Sequence, residues 1–348
     1  MLSMRKRGLR PLMAGAAALF AITLVAGCTS TADDSAPDRQ GTTSDENKAS
    51  GDTVVIGWSG PEADHGWLGA INTGAIDAAE SFSDVELRQA EGTNDANAQI
   101  AAVEKFINDG VDAIVLLPTD GAALTQAAQK AMDAGIPVIN VDREFSSTFA
   151  SRATILGDNY GMGVSAGTYI CEQLDGKSDA VVAEIAGIDS LPLTQDRSQG
   201  FKDALDVCGL EVGPRVAADF TVAGGESAAS QLLSANPKID AIWNHDDDQG
   251  VGVMAAIESA GRSEFFMVGG AGSVNMMDRI KADDSVVKAT VIYPSTQAAD
   301  GIALARLIAQ GKTVSDLITP SVPYRIVLDA PVVTKDNVDE FIKLAFES

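Results

Sequence analysis

The chain has 348 residues, of which 45% are hydrophobic and 21% charged, a composition typical of a globular protein rather than a disordered or fibrous one. This length is enough for two lobes of ordinary domain size, each with its own core. The formal net charge of −24 argues against a nucleic-acid partner, because such proteins need a basic face that displaces counterions from phosphates.

The N-terminal 27 residues have the layout of a secretory signal peptide, in which the basic stretch MRKRGLR precedes the apolar stretch PLMAGAAALFAITLVAG. The segment closes as VAGC, which resembles the bacterial lipobox, and the resemblance implies that Cys28 is lipidated and becomes the first residue of the mature chain. An ordinary signal peptide with a chance cysteine is the alternative. No other stretch reaches the ~20 apolar residues that span a bilayer, so we expect a lipid anchor as the only membrane attachment.

Residues 28–52 are rich in Ser, Thr and Asp and contain almost no large apolar residue. Such a composition cannot offset the entropy cost of folding. We predict a flexible tether between the lipid and the folded part of the chain.

From Thr53 onward, short apolar strands alternate with amphipathic helices. The strand stretches TVVIGW, DAIVLLP and IPVINVD are mostly continuous apolar runs, which are typical of a parallel sheet covered on both faces. The helix–turn–strand stretch NDGVDAIVLLPTD is echoed later as NPKIDAIWNHDDD, which indicates two similar α/β lobes, each with a parallel sheet. The last third breaks the tandem order, so we predict lobe 1 at 53–157 plus about 295–322, and lobe 2 at 158–294 plus about 323–348.

Lipidation of Cys28 would leave Cys171 and Cys208, each on a predicted helix, as an even pair in an oxidising compartment. We predict a disulfide between them. Two buried free thiols are the alternative.

The residues that follow the predicted strands share one chemical character. In doubly wound sheets ligands bind outside the carboxyl ends of the strands, and here these ends carry Asp142, Arg143, Phe220, the HDDDQG stretch and Tyr293. Aspartates accept hydrogen bonds, arginines donate several, and aromatic faces cover C–H surface. Together they suit an uncharged, polyhydroxylated ligand.

Three tryptophans are candidate ring-stacking faces. Trp58 and Trp243 lie within strand patterns and fit the core as well as a ligand platform, whereas Trp67 lies in a loop before a helix and is favoured as the stacking face. His65 could equally be a ligand contact or a loop residue without a binding role.

Known enzyme motifs are absent from the sequence: it has no G-x-S-x-G elbow, phosphate-binding loop, H-E-x-x-H or G-x-G-x-x-G after the first strand. A pair of glycosidase carboxylates is left open, since their separation is a property of the fold. The HDDD run has poor spacing for a metal, because neighbouring strand residues point to opposite sides. A solvated acidic loop is its plain alternative, and we expect neither metal nor cofactor.

A family resemblance emerges from several motifs in order: GVDAIVLLPTD, AGIPVINVDRE, GDNYGMGVSAGTYI, DRSQGFKDAL and IDAIWNHDDDQGVGVMAAIESAG. From Thr53 to about Ile308 the chain resembles the sugar-binding lipoproteins of bacterial ABC importers, in the ribose and galactose branch of periplasmic binding proteins. The resemblance implies two Rossmann-like lobes, joined by a three-segment hinge, that close on a sugar.

The resemblance also implies a set of ligand contacts. It assigns the family's contact positions to Asp64, Trp67, Asp142, Arg143, Arg197, Phe220 and Asp246. Around Asp246, we expect Asp247 to support the loop, Asp248 to be solvated, and His245 to point the other way.

Two departures from the family pattern bear on the ligand. The chain reads GGAG at 269–272 where relatives commonly read Gly-Phe-Asp-Gly, so Ala271 replaces a carboxylate that grips the ligand. Tyr293 displaces an expected glutamine and is counted as a ligand contact. We therefore expect a sugar or polyol whose hydroxyl pattern differs from that of ribose.

The function expected from the sequence is the extracytoplasmic solute-binding component of a carbohydrate importer, without catalytic activity. Its partners would be a monosaccharide or polyol, an ABC permease and its ATPase, and we expect a monomer. A binding protein for a sensor or chemoreceptor is the main alternative. A LacI-type regulator would need a helix-turn-helix where the lipobox and tether lie, and a secreted hydrolase is the remaining class.

Overall fold

The computed structural model of the chain describes residues 49–312, 314 and 321–348. The expected signal peptide, the lipidation site at Cys28, and the expected tether up to residue 48 lie outside the described residues. Among the described residues, no helix is long and apolar enough to cross a membrane.

The first sheet has six parallel strands in the order β11-β5-β4-β3-β1-β2. Its central strands are buried along their whole length, as the continuous apolar runs predicted. The strands are β1 Val54–Ser59, β2 Val85–Gln89, β3 Ala113–Leu116, β4 Val138–Val141, β5 Ala153–Gly157 and β11 Arg325–Leu328.

The second sheet also has six strands, in the order β12-β10-β9-β8-β6-β7. Five run parallel, and the short edge strand β12 pairs antiparallel with β10. The strands are β6 Val182–Ala186, β7 Val212–Ala217, β8 Ala241–Asn244, β9 Phe266–Ala271, β10 Val287–Ile292 and β12 Val332–Thr334.

Helices connect the parallel strands and cover the sheets. Several begin at an aspartate, serine or threonine whose side chain accepts a backbone N–H of the first turn, and two end at a left-handed glycine. They are α1 Gly66–Ser81, α2 Ala96–Asp109, α3 Gly121–Asp133, α4 Asn159–Gln173, α5 Pro192–Val207, α6 Val222–Ala235, α7 Asp247–Ala260, α8 Val274–Ala282, α9 Gln297–Ala309 and α10 Val338–Phe341.

Two mostly parallel α/β sheets confirm the predicted fold class. The chain leaves the first sheet after β5, returns to pack α9 against it after β10, and leaves it again after β11. The pairing of β11 with β5 requires the last crossing to fall after Leu328, later than the expected boundary near residue 322. The division into two lobes itself stays a prediction.

Helices α4 and α5 pack together and carry the two expected cysteines. Cys171 lies in α4 and Cys208 caps the C-terminus of α5, with their Cα atoms 6.0 Å apart. The structure joins their sulfur atoms in a disulfide that closes a separation of 37 residues.

A buried ion pair fastens α9 to the start of the folded chain. The guanidinium of Arg306 donates from Nε and Nη2 to the two carboxylate oxygens of Asp84, each at 2.6 Å. Asp84 also accepts from the backbone N–H of Gly51 at 2.6 Å and from Gln310 at 2.7 Å. Hydrogen bonds from Arg306 hold the pKa of Asp84 far below its usual range.

Breaking this pair is expected to destabilise the protein. Asp84→Asn should lower the free energy of unfolding by about 3–5 kcal/mol, because the guanidinium stays buried without its carboxylate. Urea unfolding at pH 7 measures the loss. Glu86→Gln is a matched control on the adjacent strand, since the exposed Glu86–Arg88 pair contributes less than about 1 kcal/mol. An equal loss in both variants would contradict the assignment.

The loss of stability in Asp84→Asn should depend on pH. Because the pKa of Asp84 is lowered on folding, its contribution is fully present above the unfolded pKa of about 4 and is lost as pH falls toward the folded value. The difference in unfolding free energy between the wild type and Asp84→Asn should therefore narrow progressively below about pH 4. A difference that widens on acidification would contradict this sign.

Candidate functional site

Tyr293 connects the strand ends of the two sheets. It follows β10 of the second sheet, and its hydroxyl donates to Oδ1 of Asp142, which follows β4 of the first sheet. Nδ2 of Asn159, just after β5, donates to the same phenol oxygen at 3.1 Å. Burial, followed by the charge of Asp142, raises the pKa of Tyr293 well above its usual value, so the phenol keeps the proton that it donates.

Arg197 on α5 lies against this phenol. Its Nε donates to Oδ1 of Asn159 at 2.8 Å, and its Nη1 donates to the carbonyl of His245 at 3.1 Å. The guanidinium carbon lies 4.5 Å from the centre of the Tyr293 ring and 5.9 Å from that of Phe220. Only 3% of Arg197 is exposed, and these contacts fix its charge at the strand ends of the second sheet.

Trp67 forms another wall of the cluster. This buried residue lies in the first turn of α1, its indole N–H donates to the carbonyl of Tyr293 at 3.1 Å, and the two ring centres are 5.3 Å apart. Trp58 and Trp243 are core residues, 1% and 0% exposed. Trp67 is thus the tryptophan that lies beside Tyr293, and its role as a stacking face for a ligand stays a prediction.

Two aromatic rings of the cluster rest on glycines. A Cβ at Gly157 would lie 2.1 Å from the ring of Tyr293, and a Cβ at Gly187 would lie 2.0 Å from that of Phe220. Phe220 itself has φ of 67°, and its N–H donates to Oε1 of Gln249 at 3.1 Å. Left-handed backbone is costly for a bulky residue, and such strain is found where a side chain must be aimed at one place.

Asp142 and Arg143 line a cavity of about 500 Å³. Asp142 is also left-handed, with φ of 64°, and its second oxygen lies 3.8 Å from Nε of Arg143. Nη1 of Arg143 donates to the carbonyl of Thr119 at 2.9 Å, so the arginine is tied to its own sheet. Residues after both sheets contribute to the lining, among them Asp120, Asp142, Arg143, Asn159, Leu191 and Asp196.

Asp246 caps α7 and is buried. Its Oδ1 accepts the backbone N–H of Gln249 at 3.0 Å. Burial, reinforced by the neighbouring charge of Asp248, raises the pKa of Asp246 well above its usual value. A carboxylate in this environment gains from any further hydrogen-bond donor.

Asp247 supports the loop after β9, as expected. Its carboxylate accepts the backbone N–H groups of Gly270 at 2.8 Å, Gly272 at 3.0 Å and Ser273 at 2.8 Å, and the hydroxyl of Thr290 at 2.9 Å. Burial raises its pKa to about 7, although these four donors favour the ionised form. A Cβ at Gly269 would lie 2.3 Å from this carboxylate. This close contact accounts for the glycine at the first position of the GGAG stretch, which differs from the family pattern.

The predictions for His245 and Asp248, the other two residues of the HDDD stretch, had different outcomes. His245 points away from Asp246 as expected: its Nε2 lies 2.9 Å from Glu184, and burial lowers its pKa. The expectation that Asp248 is solvated is wrong. Asp248 is 2% exposed and accepts the backbone N–H of Trp67 at 2.9 Å, because α1 begins directly against it.

Asp64 lies apart from the cluster. Its side chain is 44% exposed, pairs with Nδ1 of His65 at 2.6 Å and accepts from Asn94 at 3.2 Å. These partners belong to the loops after β1 and β2. Of the expected contacts, Asp142 and Arg143 line the cavity, whereas Trp67, Arg197 and Phe220 pack around Tyr293 beside it. Asp246 is buried at the start of α7, and Asp64 lies at the surface.

Sequence reasoning missed Asn159, Gln249 and Asp248. Asn159 could have been found, since it is the second residue after β5 and residues after strands were used to predict the site. Gln249 contacts Asn244, Phe220 and two carbonyls of β6, a fully buried role with no local signature. Within the described ranges, no group of three or more His, Cys, Asp or Glu is arranged to hold a metal ion.

Comparison with known proteins extends over both sheets. Residues 56–313 match the periplasmic binding protein domain family, from within β1 to beyond α9, and so include five strands of each sheet. A D-ribose/D-allose-binding protein of Pseudomonas aeruginosa is 30% identical over 224 residues, which cover 63% of this chain and 70% of that protein.

Solved structures agree with this match. A Mycobacterium smegmatis protein in complex with β-D-fucofuranose is 25% identical, with a TM-score of 0.74, over 84% of this chain and 94% of that one. A fructose-binding periplasmic domain of a hybrid two-component system is 27% identical, with a TM-score of 0.72, over 83% of this chain and 93% of that one. The observed fold is thus that of periplasmic binding proteins.

The role of Asp247 can be tested by removing its charge. In Asp247→Asn the amide cannot accept at both ends, so at least one buried backbone N–H of the loop loses its acceptor. The free energy of unfolding should fall by about 1–3 kcal/mol, measured by urea denaturation at pH 7. Asp278→Asn, an exposed aspartate on α8, should change it by less than about 0.5 kcal/mol. Unchanged stability of Asp247→Asn would contradict the supporting role.

Proposed function

This chain belongs to the periplasmic binding protein family, and from that premise we propose that it is the solute-binding component of a carbohydrate ABC importer. The ligand is a monosaccharide or polyol held between two lobes. The chain carries out no chemical reaction on it, in keeping with relatives that are binding proteins. An ABC permease and its ATPase receive the loaded protein, which acts as a monomer.

The observation that carries this proposal is the mixture of groups around Tyr293. Arg197 supplies a fixed, buried set of donors, Asp142 and Asp246 supply acceptors, and the rings of Trp67 and Phe220 supply apolar faces. A sugar presents the complementary surface, with hydroxyls around the rim and C–H groups on the faces.

We assign the ligand contacts accordingly. Asp142 and Arg143 bind from the first lobe, Arg197, Phe220 and Asp246 bind from the second, and Trp67 and Tyr293 form the wall between them. Asp64 would reach a ligand only at the mouth of the site, because it lies among surface loops. Two lobes of this kind close like a hinge, and the crossings after β5, β10 and β11 are the three hinge segments.

We further propose that the protein is extracytoplasmic and anchored through Cys28. The support is the lipobox, the polar tether that follows it and the Cys171–Cys208 disulfide, which suits an oxidising compartment. Mass spectrometry of the membrane-extracted protein should find a diacylated N-terminal Cys28 and no residue before it. An unmodified Cys28 would contradict the anchor without affecting the binding function.

A second function has a specific observation in its favour. The fructose-binding domain of a hybrid two-component system shares this fold at 27% identity, so the same architecture serves signalling in that protein. In such a role the closed lobes would dock on a membrane receptor instead of a permease. Uptake of the bound sugar by cells that lack this protein would favour the sensor over the importer.

A thermal-shift screen tests the proposed ligand class. D-ribose, D-allose, D-fructose, L-arabinose, D-galactose and myo-inositol are tested one at a time, and a ligand present at ~100 times its Kd should add about 2.7 kcal/mol of stability. We expect one or more of these neutral compounds to raise the melting temperature, and we expect no anionic sugar to do so. Stabilisation by sugar phosphates alone would contradict the proposal.

The binding role of Arg197 is tested with the best sugar of that screen. Arg197→Ala should weaken binding at least about tenfold by calorimetry, because a buried charged donor is lost. Lys202→Ala is the matched control, since this exposed residue of α5 pairs with Asp206 on the same helix. Urea unfolding shows whether each variant is folded. Equal affinity in folded Arg197→Ala and wild type would remove Arg197 from the site.

A further inference from the structure

Strand β6 carries a buried glutamate among apolar residues. Glu184 lies in the middle of the stretch VAEIA, in which every residue is buried, and only 1% of the glutamate is exposed. A buried carboxylate is costly unless charged or hydrogen-bonding groups compensate it. The partners of Glu184 therefore indicate what it does in the second sheet.

Three side chains compensate this carboxylate. Its Oε1 accepts the hydroxyl of Ser198 at 2.5 Å and lies 2.9 Å from Nε2 of His245, and its Oε2 lies 3.2 Å from Nε of Arg215 on the neighbouring strand β7. Burial alone would raise the pKa of Glu184, but its hydrogen bonds, that from His245 foremost, and the charge of Arg215 hold it below its usual value. Glu184 is therefore ionised at neutral pH, and its two oxygens accept from all three partners.

His245 donates to Glu184 as a neutral imidazole. Burial lowers the pKa of His245, and its Nδ1 has no hydrogen-bond partner within the described part of the chain. Because the ionised Glu184 can only accept, the proton of the ring lies on Nε2. The ring also packs on that of Trp243, with centres 4.1 Å apart, so that His245 is fixed at the end of β8.

This network meets the ligand site at Arg197. Ser198 follows Arg197 on α5, and the backbone carbonyl of His245 accepts Nη1 of Arg197 at 3.1 Å. Glu184 thus binds both the helix residue next to Arg197 and the residue whose carbonyl receives the guanidinium. The remaining protein contact, from Nε to Asn159 at 2.8 Å, depends on the guanidinium staying in this place.

We propose that Glu184 is a positioning residue, which holds the guanidinium of Arg197 in place for a ligand by fixing its helix neighbour Ser198 and the strand end that accepts it. This role rests on the binding function proposed above, in which Arg197 contacts the ligand. Glu184 acts through Arg197 and makes no contact with the ligand itself. The whole network lies within the predicted second lobe, 158–294, so it operates whether the lobes are open or closed.

The test measures Arg197 directly in the ligand-free protein. Asn159 protects the Nε–H of Arg197 from hydrogen exchange, and NMR of protein with isotopically labelled arginine follows this group, whose signal is identified by its loss in Arg197→Lys. In Glu184→Gln the exchange should accelerate at least about tenfold, because an amide with one acceptor oxygen cannot serve three donors. The backbone amide of Leu232, buried on α6 away from the network, should exchange as in the wild type.

Asp189→Asn is the matched control. It removes an exposed partner of Arg215 and leaves Glu184 in place, so exchange at Arg197 should change less than about twofold. If Glu184→Gln does not fold, Ser198→Ala takes its place and should also accelerate the exchange, since it removes one of the two connections. Exchange at the wild-type rate in the folded variant, or equal acceleration at Leu232, would overturn the proposal.

Calorimetry with the six neutral compounds of the thermal-shift screen separates this role from the proposed function. A compound that binds the wild type should bind Glu184→Gln at least about threefold more weakly, because Arg197 is present but no longer held. Asp189→Asn should bind it as the wild type does. If none of the six binds the wild type, the proposed function fails, and the exchange rates alone decide the role of Glu184. Equal affinity in the wild type and folded Glu184→Gln would overturn that role.

Discussion

A buried phenol joins the carboxyl ends of the two sheets. Tyr293 is the residue after β10, its hydroxyl is bound by Asp142 and Asn159 after strands of the first sheet, and Arg197 of the second sheet covers its ring. Because the carboxyl ends of parallel strands lie along one edge, residues that follow strands of both sheets can reach this ring. Trp67 contacts Tyr293 directly, and Phe220 and Arg143 contact its partners Arg197 and Asp142.

Backbone conformation, more than side-chain choice, makes room for these contacts. Asp142, Phe220 and Ala271 are left-handed without being glycine, and each lies at the end of a strand or within three residues after it. Conversely, Gly157 and Gly187 are glycines because a ring occupies the space of their Cβ. Three of the four left-handed residues other than glycine in the described part of the chain thus lie near this edge, as is usual where a site imposes its geometry on the backbone.

Much of this fold could be predicted from the sequence, and less of its site. Continuous apolar runs predicted parallel sheets correctly, since strands buried on both faces need no alternation. Asp142 and Phe220 were recognisable as residues that follow strands. Asp248 was misjudged because its partner is 181 residues away, and no local pattern records a helix cap supplied by another helix. The strand β11 was misassigned for a related reason, since pairing with β5 depends on the path of the whole chain.

Hydrogen bonds within the protein leave only some donors and acceptors of the proposed site available to a ligand. Two donors of Arg197 are already bound by Asn159 and by the carbonyl of His245, so only the remainder can reach a ligand. Among the described residues, Asp142 and Asp246 each have one carboxylate oxygen that accepts no hydrogen bond from the protein, so that oxygen can still accept one from a ligand. Hydroxyl groups are suitable donors to these two oxygens. These acceptors therefore favour the neutral, hydroxyl-rich ligand that we propose, even where Ala271 and Tyr293 depart from the family pattern.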